Sequence, residues 1–142
     1  MENGVNLALL LLRCMVGFTM LAHGYNHIWG GGKIAGTGRW FESLGLKPGP
    51  LHAWLASLTE LACGASLILG LLNPLGGAGV VGTMTVAFLT NHRPNGFFIF
   101  RPGEGYEYVI NLIVAGIGGA LLLLAVYWRP AKPEPAAPAD AS

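Results

Sequence analysis

Four long apolar stretches, separated by polar or glycine-rich connections, dominate the pattern of hydrophobic and polar positions along the chain. They cover residues 5–29, 51–72, 75–90 and 106–128. A bilayer core needs about 20 apolar residues, and roughly 17–25 are usual. The first, second and fourth stretches satisfy this length, whereas the third is shorter and rich in glycine. The pattern predicts an all-α fold, a four-helix transmembrane bundle.

The connections between these stretches differ in length and composition. Residues 30–50 and 91–105 form two long loops, while Asn73-Pro74 is a turn signal that makes the second and third helices antiparallel neighbours. After the fourth stretch the chain is rich in proline and alanine, which cannot bury enough apolar surface to fold. We therefore expect one membrane domain at 1–129 and a disordered tail at 130–142.

The composition supports a membrane protein and argues against a nucleic-acid-binding one. Hydrophobic residues make up 53% of the chain and charged residues 11%, against about 25% charged residues in soluble domains. The 22 glycines suit helices that pack closely in a membrane. A net charge of +1 provides no basic surface of the kind that binds nucleic acid.

The distribution of lysine and arginine predicts the orientation in the membrane. Four spans place both termini on the same side. The cations of the two long loops are Lys33, Arg39, Lys47, Arg93 and Arg101, and those after the last stretch are Arg129 and Lys132. Because cytoplasmic loops carry an excess of such residues, the long loops are expected in the cytoplasm.

Few ionisable residues interrupt the apolar stretches, and such residues usually face the interior of a bundle. Arg13 and His27 are fourteen residues apart, nearly four helical turns, so they share one face of the first helix. His23 lies one turn before His27 on that face. In the second helix, an ionised Glu60 would need a cationic partner, for which Arg13 and the two histidines are the candidates.

The polar residues concentrate at the end of the bundle that carries the long loops, where all four histidines map. The predicted site is a polar cavity formed by Arg13, His23, His27, Glu60, His92, Asn95 and Glu107. Such a cavity would suit a quinone head group, a proton relay or a metal. We expect no metal, because two histidines at this spacing lack a third ligand. The alternative is that the same residues fix the register of the helices.

Several short segments, in order along the chain, resemble the DoxX family. They are Leu11-Leu12-Arg13, Ala22-His23-Gly24, Trp40-Phe41-Glu42, Thr59-Glu60-Leu61, Asn95-Gly96-Phe97 and Glu107-Tyr108. The resemblance extends from about residue 7 to residue 128. It implies a four-helix integral membrane protein, similar to a subunit associated with quinone-linked sulfur oxidation and to membrane parts of complexes that handle oxidative or thiol stress.

The resemblance leads to an expected function. The chain would be an integral membrane subunit in a bacterial plasma membrane, a component of a quinone-linked oxidoreductase or redox-stress complex rather than a stand-alone enzyme. No haem, flavin or iron–sulfur motif is present, so we expect no intrinsic cofactor, quinone as the candidate ligand, and a redox centre on a partner subunit. The alternatives are a non-catalytic membrane anchor or assembly protein and a small-solute transporter subunit. Small residues at positions 115–120 offer a face for a homo-oligomer.

Overall fold

A computed structural model describes residues 2–127 of the chain, and the side chains of residues 4–120. Within that range the fold is all α, as predicted, with five α-helices and no strand. The helices are α1 (Glu2–Trp29), α2 (Lys33–Ser43), α3 (Gly49–Leu69), α4 (Asn73–Ala87) and α5 (Glu107–Tyr127). A π-helical turn (Phe88–His92) and a 3-10 turn (Arg93–Asn95) extend α4. The tail predicted at 130–142 lies outside the described residues.

The four predicted stretches correspond to α1, α3, α4 and α5. Two helical segments, Gly4–Trp29 and Gly49–Leu69, are long and apolar enough to cross a membrane. The apolar part of α5 that was searched, Glu107–Ala120, is shorter, and α4 has 15 residues before the π-helical turn. Length and composition therefore identify two of the four predicted spans.

The expected loop at 30–50 contains a helix, α2, which corrects the sequence-based prediction. The glycines of α2 interrupt the regular spacing of apolar residues by which a helix is recognised in a sequence, and they lower helix propensity. Packing on α3 compensates, because Phe41 is buried and Gly38 lies against the start of α3, where an added Cβ would be 3.2 Å from the Pro50 nitrogen. The Glu42 carboxylate accepts a hydrogen bond from the Gly49 N–H at 3.1 Å. These contacts hold α2 across one end of the bundle.

Glycines set the register of two antiparallel helix pairs. A Cβ on Gly17 of α1 would lie 2.8 Å from the Gly64 carbonyl oxygen of α3, and one on Gly77 of α4 would lie 2.9 Å from that of Gly116 on α5. Small residues permit such close approach of backbones. Gly116, expected on an oligomer face, thus packs within its own chain. The core between the pairs is formed by Val16, Met20, Cys63, Leu67, Val80, Met84, Val109 and Leu112.

Candidate functional site

A cavity of about 420 Å³ opens at the end of the bundle that α2 covers. It lies between the second half of α1, the first half of α3, the end of α4 and the start of α5. Its polar lining comprises His23, His27, His52, Thr59, Glu60, Thr83, Thr90, Asn91, His92, Glu104 and Tyr108. Most of the remaining lining is apolar, including Trp40, Phe41, Leu44 and Leu46 from α2 and the segment after it. All four histidines therefore line one cavity.

Glu60 and His27 form a contact at the inner wall of this cavity. Glu60 is only 2% exposed, and its Oε2 lies 3.0 Å from Nδ1 of His27. Although the two atoms are close, their geometry does not satisfy that of a hydrogen bond. The contact between the His27 ring and the Glu60 carboxylate is therefore electrostatic. The His27 ring meets Phe41 edge to face, with ring centroids 5.9 Å apart. Helix α2 thus covers the His27–Glu60 pair.

His23 and Tyr108 connect α1 with α5 across the cavity. The Tyr108 hydroxyl lies 2.9 Å from Nε2 of His23, and the two rings stack with centroids 5.7 Å apart. Because a tyrosine hydroxyl and a neutral imidazole can each donate or accept, the pair can exchange this bond for one to a bound molecule.

His92 lies at the end of the π-helical turn, an element often found at functional sites. Its Nδ1 is 2.8 Å from the carbonyl oxygen of Glu104. Since a carbonyl oxygen only accepts, Nδ1 carries a proton, and Nε2 of the neutral ring remains an acceptor. The side-chain nitrogen of Asn91 lies 3.5 Å from that Nε2. The loop after α4 therefore fixes the orientation of the His92 ring.

Arg13, included in the predicted site, lies outside the cavity. The antiparallel register that opposes Gly17 with Gly64 puts Arg13 beside Gly70, where its terminal nitrogens would be 3.4 Å from an added Cβ. Gly70 follows the end of α3, ten residues from Glu60 and about 15 Å along the helix. The predicted Arg13–Glu60 pair is therefore not formed, and His27 takes the place of Arg13.

Asn95 and Glu107 also lie outside the cavity, in the connection from α4 to α5. The Asn95 amide donates to the carbonyl oxygens of Asn91 at 3.0 Å and Gly103 at 2.6 Å. The Glu107 carboxylate accepts a hydrogen bond from the Ile99 N–H at 3.2 Å. Both were predicted to form the cavity, and the structure instead places them in hydrogen bonds that stabilise the loop that holds His92.

The predicted set omitted Tyr108 and the aromatic residues of α2. Tyr108 follows Glu107 directly, and only the packing of α5 near α1 reveals that it reaches His23. Trp40 and Phe41 lie in a segment expected to be a loop. Among the described residues, no three His, Cys, Asp or Glu side chains are arranged to hold a metal ion.

Comparison with known proteins gives one match. A family model described as DoxX matches residues 8–93, which is more than half of the chain and includes all four histidines and Glu60. No curated protein and no solved structure matches the chain. The matched segment begins within α1 and ends just after the π-helical turn that carries His92. The chain belongs to the DoxX family.

Proposed function

We propose that the protein is an integral membrane subunit whose histidine-lined cavity binds the head group of a quinone. It would act in a quinone-linked membrane oxidoreductase or redox-stress complex, with the redox centre on a partner subunit. Membership of the DoxX family and the two apolar helices α1 and α3 support a membrane protein. The chemistry of the cavity supports the quinone, and the family resemblance supports the complex.

The pattern of exposed residues supports four crossings by α1, α3, α4 and α5. Leu11, Met15 and Phe18 in the middle of α1 are 60–66% exposed, although Met20 of the same helix is fully buried. A contiguous apolar surface of this kind needs an apolar environment, which lipid provides. Helix α4 packs against α3 and α5, and α5 also contacts α1. Helix α2 would lie at the membrane surface beside the cavity.

The observation that carries the proposal is the combination of an apolar cavity with hydrogen-bonding pairs from separate helices. Small-molecule sites have volumes of roughly 300–1,000 Å³ and mainly apolar walls with a few placed polar groups. A quinone ring is flat and apolar and has two carbonyl oxygens that accept hydrogen bonds. The Tyr108–His23 pair can donate to one such oxygen, and the apolar side chains of α2 can cover the ring.

The polar groups also suit the proton chemistry of a quinone. Reduction of a quinone to a quinol takes up two electrons and two protons, and oxidation of a quinol releases them. In the proposed scheme the partner's redox centre exchanges the electrons, while His27 with Glu60 and His23 with Tyr108 exchange the protons. Histidine is suited to this role because its ring nitrogens can both accept and donate a proton.

Binding of a short-chain benzoquinone to the protein in lipid nanodiscs, measured by calorimetry, tests the proposal. Tyr108→Phe removes one hydrogen-bonding hydroxyl, worth about 0.5–1.5 kcal/mol, so binding should weaken roughly 2- to 10-fold. Glu60→Gln should weaken it as well. Tyr25→Phe is the matched control, because Tyr25 is exposed on α1 and does not line the cavity.

Two results would remove the support for a quinone site. The parent protein could bind no benzoquinone, or Tyr108→Phe could bind it as tightly as Tyr25→Phe does. Either outcome would favour the alternative in which the polar pairs fix helix register in a non-catalytic membrane anchor or assembly protein. Thermal stability of each variant, measured in the same nanodiscs, separates loss of binding from loss of fold.

A further inference from the structure

The turn between α3 and α4 lies well short of the end of α1. Gly17 packs on Gly64 and Gly24 on the Ser57 carbonyl, so one constant antiparallel register relates α1 to α3. This register puts Arg13 within one turn of Gly70, and the observed approach of their atoms agrees. From Arg13 to Glu2, α1 continues for eleven more residues, about 16 Å at 1.5 Å per residue.

The same register gives the depth of the turn relative to the membrane surface. It places Trp29 of α1 within one turn of Trp54 of α3, and both side chains are exposed, as expected for tryptophans at a lipid–water interface. Sixteen residues separate Trp29 from Arg13, about 24 Å of helix. A hydrocarbon core is about 30 Å thick, so Gly70, where the turn begins, lies about 6 Å short of the opposite interface.

The side chains of the turn fit an apolar environment rather than water. Leu69, Leu71, Leu72 and Leu75 are between 62% and 72% exposed. A turn in water would favour polar residues, glycine and proline, whereas four exposed leucines around Gly70 form an apolar tip. An apolar patch of this kind marks a surface that contacts another apolar phase.

The polar groups of the turn are largely satisfied within the chain, as a lipid environment requires. The Ser66 hydroxyl donates to the Leu71 carbonyl oxygen, and the Asn73 amide donates to that of Gly70 at 3.2 Å. The Leu72 carbonyl oxygen accepts from two backbone N–H groups of α4. Arg13 supplies a cation beside the end of α3, where the helix dipole is negative. Among the described residues near the turn, the Asn73 side-chain oxygen and the Arg13 Nε are buried without a hydrogen-bond partner.

We infer that the α3–α4 turn is immersed in the membrane and contacts lipid acyl chains, whereas α1, unlike α3, continues to the far interface. The inference rests on the membrane placement proposed above. Three features of the turn support the inference independently of the quinone proposal: its depth, its exposed leucines and the hydrogen bonds that its carbonyl oxygens accept within the chain. It also gives Arg13 a role, as the cation that stabilises a helix end within lipid.

Spin-label accessibility in lipid vesicles tests the inference on the full chain with Cys14→Ser and Cys63→Ala. Nitroxide labels are attached at Leu72→Cys, Leu11→Cys, Asn6→Cys and Phe18→Cys, one per variant. Collision with oxygen reports lipid, and collision with a water-soluble nickel chelate reports water. Leu11 lies within one turn of Leu72 in the α1–α3 register and is exposed as well, so it is the matched control, and both positions should give similar oxygen-to-nickel ratios. That ratio should exceed the one at Asn6 severalfold.

The other outcomes overturn the inference and remain distinct from failure of the membrane placement. A ratio at Leu72 as low as at Asn6 would place the turn in water. Protection of Leu72 from both reagents would mean that protein, such as a second copy of the chain, covers it. A low ratio at Phe18, in the middle of α1, would instead show that the chain does not cross a membrane, and the proposed function would fail with it.

Discussion

Glu60 shows how a single residue constrains this molecule, because its carboxylate is 2% exposed in the middle of α3. A buried carboxylate either pairs with a cation or takes up a proton. Within the described residues, its ion-pair partner is His27, 3.0 Å away. His27 is a cation only in its protonated form.

The His27–Glu60 contact leads to a prediction about stability. His27→Leu leaves the Glu60 carboxylate buried without its partner, and breaking a buried pair in this way costs about 3–5 kcal/mol. Replacing both residues by leucine removes the polar groups together and should cost less than His27→Leu alone. Thermal unfolding in mild detergent, followed by circular dichroism at neutral pH, measures the difference.

Arg13 provides the control for this double-mutant cycle. Arg13 lies beside Gly70 rather than Glu60, so Arg13→Leu and Glu60→Leu should have additive effects. Coupling between Arg13 and Glu60, together with additivity between His27 and Glu60, would contradict the observed register of α1 and α3. It would support the pairing that the sequence alone suggested.

The sequence predicted which end of the bundle is polar but not which polar residues meet. His23, His27 and Glu60 were identified because each lies in an apolar stretch, where a polar side chain must face the interior. His92 was identified because it follows the third stretch, at the end that carries the long loops. Arg13 satisfied the same criterion, yet its partner depends on the α1–α3 register, which the Gly17–Gly64 contact determines and periodicity does not. Periodicity also cannot show that Asn95 bonds to carbonyl groups of its own loop.

At the scale of helices, close backbone contact at glycine replaces interdigitating large side chains. A Cβ on Gly64 would lie 2.6 Å from the Gly17 carbonyl oxygen and 2.9 Å from the Leu21 nitrogen. Both are backbone atoms of α1, so the helices could accommodate a methyl group only by moving apart. The α1–α3 pair forms one wall of the cavity, and its separation therefore affects the His27–Glu60 contact.

We predict that Gly64→Ala destabilises the protein although alanine favours helices. Alanine in place of glycine gains about 1 kcal/mol of helix propensity, and forced overpacking costs typically 1–3 kcal/mol. Gly118→Ala is the matched control, because a Cβ there meets nothing within 4 Å. The melting temperature should fall for Gly64→Ala and stay level or rise for Gly118→Ala. Equal shifts in both variants would mean that α1 and α3 do not pack through Gly64.

Helix α2 is the element that the sequence did not reveal. Its 11 residues include two glycines, and an isolated helix this short is marginal in water. Tertiary packing decides its structure, through Phe41 in the core and Glu42 on the Gly49 N–H. The family resemblance included the Trp40-Phe41-Glu42 segment but did not show that it covers a cavity.

The whole molecule has two unlike ends. One end carries the cavity, α2, the α4–α5 loop and the cations Lys33, Arg39, Lys47, Arg93 and Arg101, all exposed. The other end carries the apolar α3–α4 turn. Because cytoplasmic loops are enriched in lysine and arginine, this asymmetry favours an orientation in which the cavity opens toward the cytoplasm. A partner that exchanges electrons with a quinone would then approach from that side.

Four crossings and this orientation can be tested together by cysteine labelling. Ser43→Cys on α2 and Arg101→Cys in the α4–α5 loop, each in a chain without its native cysteines, are both exposed positions. An impermeant maleimide should leave both unlabelled in intact spheroplasts and label both in inverted membrane vesicles. A cysteine placed before Glu2 should show the opposite pattern, because one crossing by α1 separates it from α2.

If Ser43→Cys and Arg101→Cys report opposite sides, the number of crossings between α2 and the second loop is odd, and the four-span arrangement is wrong. If both are labelled in intact spheroplasts while the N-terminal position is protected, the span count holds but the cations lie outside, and the cavity opens away from the cytoplasm.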